Sequence, residues 1–439
     1  MFKTLVGAFK NKDIRKKIIY TLLILVVVRV GSLLPIPGVD TEYFSSLLSG
    51  INTGDLSYLS AFTGGSFERM SLFALSITPY ITSSIIMQLL TIAIPKLEEM
   101  QKEGEDGRKK IASITRYVTI GLSLIESIAM AVGFGRSGLI KDSAQLSTLH
   151  YVVCIIVVIA ALTAGSAVLM WLGERITEKG VGNGISIVLL INIISGMPSD
   201  FATLYSTFVA PKTPAKGVLA AVIILAILIV MVVLVCFLQD GERRIPVQYS
   251  QKVSGRRTVG GQSTNIPLKV NTAGVMPIIF ASSLMQFPVI IAQLFGKSYE
   301  WTRYLSSSYW CRVEAPKYSI GLLVYIVLLI IFAYFYTSIT FNPIEVADNL
   351  KKAGGVIPGI TPGKSTSEYL NKILNYIVFI GAVGLLIIAL IPIMCTGFFN
   401  ASVSFGGTSI IIIVGVVLET LKQIESQMCN RYYKGFLSE

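Results

Sequence analysis

The sequence predicts an all-α integral membrane protein with ten transmembrane helices in two inverted five-helix halves. Three observations predict it. Apolar stretches recur along the whole chain, basic residues fall on alternate connecting loops, and a ten-residue pattern in the second stretch returns in the seventh.

The composition is 53% hydrophobic and 14% charged over 439 residues, whereas about a quarter of residues are charged in an average soluble protein. Crossing the hydrocarbon core takes about 20 apolar residues in a helix. Ten stretches meet or approach that length: Ile18 to Leu34, Leu72 to Ile94, Tyr117 to Val132, Tyr151 to Leu172, Ile185 to Ile194, Val218 to Leu238, Val275 to Leu294, Ile320 to Phe341, Ile373 to Ile391 and Thr408 to Leu418. The fifth and tenth are short. The first follows a basic arm, as a signal peptide would, but it is long and leads into Pro35 and Pro37 without a small-residue cleavage site. It therefore reads as a retained helix.

The formal charge of +12 invites a nucleic-acid reading, which the placement of the charge argues against. Of the 37 Lys and Arg residues, 27 lie on the N-terminal arm, the even-numbered loops and the tail; 9 lie on odd-numbered loops, and Arg29 is inside the first span. The positive-inside rule makes the basic side cytoplasmic and puts both termini there. The five cysteines, Cys154, Cys236, Cys311, Cys395 and Cys429, have no spacing that suggests a metal site or disulfide framework.

No stretch is polar and long enough for a soluble domain, so residues 1–439 read as one membrane domain. Residues 1–196 form the first half, 218–418 the second and 419–439 a cytoplasmic tail. The longest hydrophilic segments, 239–268 and 342–368, are loops. The ten residues from Pro79 to Gln88 align without a gap on those from Pro277 to Gln286, with Pro, Ile, Ser, Met and Gln coinciding at 5 of 10 positions. An odd number of spans per half turns the second copy upside down. Matched proline-bearing and short spans mark the functional path, because irregular backbone at membrane depth has to line a cavity or be buried in protein.

Other chemistries find little support. His150 is the only histidine, which excludes a His-rich metal site and leaves a Ser/His/Asp triad improbable. Gly363-Lys364-Ser365 resembles a phosphate loop, but Pro358 stands where the earlier glycine belongs. Gly180 to Gly184 joins two apolar spans rather than a strand and a helix, so it reads as a tight turn. Only Arg29 and Glu126 place charge inside apolar spans, fewer than an ion-coupled transporter would show. Arg29 is near the outer end of its span, where snorkelling serves it, and Glu126 sits deeper.

Several long motifs resemble the SecY family along nearly the whole chain. They include Ile77 to Thr82 with Gln88-Leu89-Leu90, Gly107 to Lys110, Met170 to Glu174, Gly182 to Ile187, Gly261 to Thr264, Pro267 to Asn271, Ala347 to Lys352 and Gly406 to Ser409. The resemblance implies an hourglass channel, neither enzyme nor cofactor-dependent, that passes unfolded secretory chains and releases apolar helices sideways into lipid. By position, its apolar pore ring would be Ile77, Ile81, Ile185, Leu189, Ile279 and Ile412. A plug over about 55–68 would use Leu56, Leu59 and Phe62 before a Gly64-Gly65 hinge, and a lateral gate would use Thr82, Ser84, Glu126, Asn271 and Phe287. Glu126 stands where a glutamine is expected.

The implied partners are SecE, SecG, the SecA motor, the ribosome, signal peptides and the lipid bilayer. Arg243, Arg244, Arg256 and Arg257 would serve cytoplasmic docking, since Arg suits phosphate and carboxylate recognition. Thr361 replaces an arginine common in the family, with Lys351, Lys352 and Lys364 as substitutes. A bacterial plasma membrane is the implied location, ahead of a thylakoid membrane. Two other classes compete: a secondary transporter with discontinuous helices, and a structural scaffold, which would leave the paired prolines without a role.

Overall fold

The computed structural model describes residues 7, 9–50, 63–135, 139–140, 147–210, 214–249, 252–254, 257–259, 263–294, 300–306, 309–311, 316–399 and 407–434. The first half contains α1 (Lys12–Gly31), α2 (Thr41–Gly50), α3 (Thr78–Ala93), α4 (Pro95–Lys102), α5 (Glu105–Gly135), α6 (Thr148–Lys179) and α7 (Gly184–Leu204). The second opens with α8 (Pro214–Asp240) and strands β1 (Glu242–Tyr249), β2 (Lys252–Ser254), β3 (Arg257–Val259) and β4 (Ser263–Lys269). It continues with α9 (Met276–Leu294), α10 (Glu300–Leu305), α11 (Ile320–Thr340), α12 (Pro343–Lys352), β5 (Gly355–Val356), α13 (Lys364–Phe399) and α14 (Gly407–Lys434). Each of the ten expected spans corresponds to one helix in order: α1, α3, α5, α6, α7, α8, α9, α11, α13 and α14.

The second span is shorter as a helix than its apolar run. Residues 72–77 form turns and α3 begins only at Thr78, with Pro79 in its first turn. Proline lacks the N–H a helix interior needs and disfavours α geometry in the residue before it, so it opens a helix more readily than it continues one. Pro277 does the same in α9, after turns at 270–275. The α3 path then bends by 100° into α4 at Pro95. The fifth and tenth spans are short only as apolar runs: α7 has 21 residues with Pro198 inside, and α14 has 28.

Each turn segment is seated by a glycine on the fourth span of its half. A Cβ on Gly165 of α6 would stand 1.9 Å from the Leu72 carbonyl oxygen, and one on Gly381 of α13 would stand 2.4 Å from that of Val270. Leu72 and Val270 are themselves equivalent in the repeat, each seven residues before its proline. The duplication read from ten residues therefore extends to how the backbone packs.

The halves meet along two seams. On one side α3 and α5 pack against α9; on the other, α7 packs against α14. The basic segments converge at one end of the molecule. There Lys17 donates to Gln427 at 3.2 Å, Lys422 pairs with Asp240 at 2.7 Å, and Ile14, Val181 and Ile424 share a small core. At the opposite end, Ile36, Phe44, Phe67 and Leu139 pack with the ends of α5 and α6, and the rings of Phe44 and Phe134 meet edge to face at 5.1 Å.

The hydrophilic loops of the second half contain β structure that the all-helical reading did not anticipate. β1 pairs antiparallel with β4, from Glu242 opposite Lys269 to Gln248 opposite Ser263, and Gln248 also pairs with Val356 of β5. Alternation explains it: Ile245 and Val247 are buried, while their neighbours Arg244, Pro246 and Gln248 are exposed. Ile245, Val247 and Leu268 join Leu350, Ile357 and Leu370 in a core that ties the sheet to α12 and α13.

Candidate functional site

The six expected ring residues all belong to one large hydrophobic cluster that runs from Ile24 to Val416. Ile77, Leu189, Ile279 and Ile412 are each at most 5% exposed, and Ile81 and Ile185 pack against them partly buried. They come from the start of α3 and from α7, α9 and α14, hence from both halves and both seams. All six side chains are aliphatic, and an apolar constriction gives an ion nothing to replace its hydration shell.

Local structure puts Ile77 and Ile279 at the starts of α3 and α9. Ile77 is the residue just before α3, and its carbonyl accepts from the Ile81 amide at 3.0 Å. Ser76 before it has a left-handed φ of 52°, uncommon outside glycine. The Asn192 side-chain amide of α7 donates to the Ser76 hydroxyl at 3.0 Å, holding this conformation from the neighbouring helix. In α9 the Ile279 amide donates to the Val275 carbonyl at 3.3 Å.

Of the expected plug residues, Leu56, Leu59 and Phe62 lie outside the described residues. Gly64 and Gly65 both have left-handed φ, 64° and 78°, but their surroundings differ. A Cβ on Gly65 would meet open space, whereas one on Gly64 would stand 2.7 Å from the Asn192 carbonyl oxygen. The Gly64 carbonyl accepts from Arg29 Nη1 at 3.2 Å; the Ser195 hydroxyl, 3.4 Å away, makes its shorter bond to the Asn192 carbonyl at 2.7 Å. Arg29 thus reaches inward to a backbone carbonyl, where the sequence favoured snorkelling. Gly64 is an anchor, and Gly65 alone has room to hinge.

The expected gate residues sit on elements that touch. Thr82 and Ser84 are on α3, Glu126 is half-buried on α5, Asn271 is 5% exposed ahead of α9, and Phe287 is within α9. Thr82 donates to the Thr78 carbonyl at 3.1 Å and Asn271 to the Gly274 carbonyl at 3.0 Å, so both hydrogen-bond locally rather than across the seam. Two residues not singled out as gate members also face this region's interior: Gln88 and Gln286 each bury a side-chain oxygen that has no hydrogen-bond partner.

Arg243 and Arg244 are exposed on β1, and Lys351 and Lys352 are exposed in the last turn of α12. The β1–β5 pairing makes one surface of the two loops that carry them. Lys364 is exposed at the start of α13. Arg256 lies outside the described residues, and Arg257 is placed by its backbone in β3. Thr361 donates to the Ser365 hydroxyl at 2.9 Å, so at this position the side chain braces the start of α13.

The SecY family model matches residues 71–421. Over 452 aligned positions covering all of both chains, the protein is 44% identical to the protein translocase subunit SecY of Streptomyces galbus. It is 41% identical to that of Bacillus subtilis (strain 168), again over the full length of both. Among solved structures, one described as the structure of a protein conducting channel superposes with a TM-score of 0.61 at 18% identity, over 94% of this chain and 92% of that one. Sec61 in the canine ribosome-channel complex from the endoplasmic reticulum gives 0.60 at 17%, with the same coverage. A family match across most of the chain, relatives above 40% identity along its entire length, and a shared fold agree with the two-half arrangement of α1 to α14: the chain belongs to the SecY family.

Proposed function

We propose that this chain is the pore-forming subunit of a protein translocase: unfolded secretory polypeptides pass through the aliphatic waist, and apolar helices leave between α3/α5 and α9. The observation that carries the reading is the convergence of Ile77, Ile81, Ile185, Leu189, Ile279 and Ile412 from four helices and both halves in one cluster. Aliphatic side chains can part around a peptide of any sequence and close again behind it. Arg29 holds the Gly64 carbonyl close to α7, the helix that also carries Ile185 and Leu189.

In this reading the end that gathers the basic segments is cytoplasmic, the membrane is a bacterial plasma membrane, and both termini are inside. The β1–β5 surface with Arg243, Arg244, Lys351 and Lys352 is where the SecA motor or the ribosome docks, and SecE and SecG associate with the lipid-facing helices. The relatives' shared name supports the role, and the driving force comes from those partners.

The test is crosslinking from a single cysteine at Ile279, with the five native cysteines replaced, to a secretory protein arrested midway. A crosslink that moves along the substrate as the arrest point moves is expected. A transport-competent complex with no crosslink would remove Ile279 from the path and favour a small-solute transporter.

A further inference from the structure

A buried polar atom without a partner is expensive, so each one in a native structure calls for an explanation. Among the described residues five side chains carry such an atom: Ser71, Gln88, Ser166, Asn192 and Gln286. Two of the five are repeat equivalents, since Gln88 and Gln286 each stand nine residues after their prolines. Their neighbours Met87 and Met285 are both 3% exposed, so the burial of the preceding residue is repeated as well.

Gln88 is seven residues beyond Ile81, and Gln286 is seven beyond Ile279. Seven residues make nearly two helical turns, which puts each amide on the same face as its ring isoleucine and about 10 Å along the axis from it. Because the halves are inverted, α3 and α9 leave the waist in opposite directions. One amide therefore lies on each side of the seal.

We propose that Gln88 and Gln286 are backbone acceptors for the polypeptide in transit, each offering its unpaired Oε1 to a peptide N–H at one mouth of the waist. The inference rests on the channel reading and identifies which substrate atoms the channel holds. A chain entering an aliphatic constriction loses the water that satisfied its N–H and C=O groups. The amides stand about 20 Å apart, a distance covered by about six extended residues. An acceptor at each end re-satisfies one N–H as the chain enters and another as it leaves. The backbone N–H is common to every residue except proline, so such an acceptor serves any sequence. A neutral amide also does this without attracting ions to the seal, as a carboxylate would.

Proline supplies the test. Transit times would be measured by protease protection in vesicles containing the full translocase. Two substrates would be used, identical except for a mid-chain tract of about a dozen Ala-Ser or Pro residues, roughly twice the distance between the amides. Gln88→Met and Gln286→Met keep side-chain length and remove the acceptor. Each is expected to slow the Ala-Ser tract about fivefold, the worth of one net hydrogen bond, and to leave the Pro tract at its wild-type time. Gln88→Leu replaces Gln88→Met should the latter fail to accumulate. Equal slowing of both tracts, or of neither, would overturn the proposal. An Ile279 crosslink that persists while the tract effect is missing removes only this inference; loss of the crosslink removes the channel reading itself.

Discussion

The two halves repeat one element, a turn run that opens into a proline-started helix, and add different supports to it. In each, a run of turns ends at a proline that opens a helix, an isoleucine follows two residues later, and a glycine on the fourth span receives a carbonyl from the run. Both runs start from an equivalent backbone bond, the Leu72 amide on the Leu34 carbonyl at 2.9 Å and the Val270 amide on the Gly241 carbonyl at 2.8 Å; the first half adds side chains, Asn192 on Ser76 and, ahead of the run, Arg29 on Gly64. The second adds a sheet, with β4 ending at Lys269 directly before Val270, and a local bond from the Asn271 side-chain amide to the Gly274 carbonyl. The duplicated part is the run, its proline and its isoleucine. What diverged is the added support, side chains in one half and a sheet in the other.

The comparison is broken most severely by filling the two glycine contacts. Gly165→Val and Gly381→Val each drive a Cβ into backbone, and overpacking of this kind costs about 3 kcal/mol or more. Both variants are expected to lose thermal stability in the purified complex by similar amounts. A large loss in one alone would show that the carbonyl-to-glycine contact is not shared. Next come Ile81→Asn and Ile279→Asn, the equivalent ring positions, which should each raise resting ion leakage about tenfold, a barrier change on the scale of one hydrogen bond. Unchanged conductance in Ile279→Asn would count against a waist at that residue.

Arg29→Gln sharpens the contrast in supports. It removes a charged hydrogen bond worth about 1.5–3 kcal/mol, and is expected to loosen the seal by making a cysteine placed at Gly65 more reactive toward external thiol reagents. Asn271→Ala, in the other half, should leave that reactivity unchanged. The smallest effect is expected at the docking surface. Charge reversal at Lys351 and Lys352 should lower motor-dependent transport a few-fold while insertion of ribosome-delivered membrane proteins continues, in line with the modest worth of exposed charges. Equal loss of both activities would separate these lysines from motor docking.

Much of this arrangement was legible in the sequence because lipid simplifies the problem. Length, hydropathy and loop charge identified ten helices, and the Pro79/Pro277 match pointed to the two turn runs that open α3 and α9. The sequence did not reveal that Pro79 starts a helix, because residues 72–77 are as apolar as the helix they precede. It also hid the role of Arg29, since snorkelling and bonding to a distant carbonyl both suit a residue near the end of a span. The β1–β4 ribbon was visible as alternation at Ile245 and Val247, a signal that is weak beside so many long apolar runs. Gln88 and Gln286 were already part of the repeat, but an unpaired oxygen is a property of packing.

The pairing of β1 with β4 and β5 has a mechanical consequence. Six residues, 270–275, connect the end of β4 to α9, and the Val270 carbonyl is wedged at Gly381 while its amide is fastened to Gly241. So short and doubly fastened a link leaves little slack. If the channel reading holds, a partner that grips the Arg243 or Lys351 loop holds a stiff lever whose far end is Ile279, and a tilt of the sheet displaces the start of α9. Spin labels on β1 and α9 should keep a constant separation while both move relative to α6 when a motor docks.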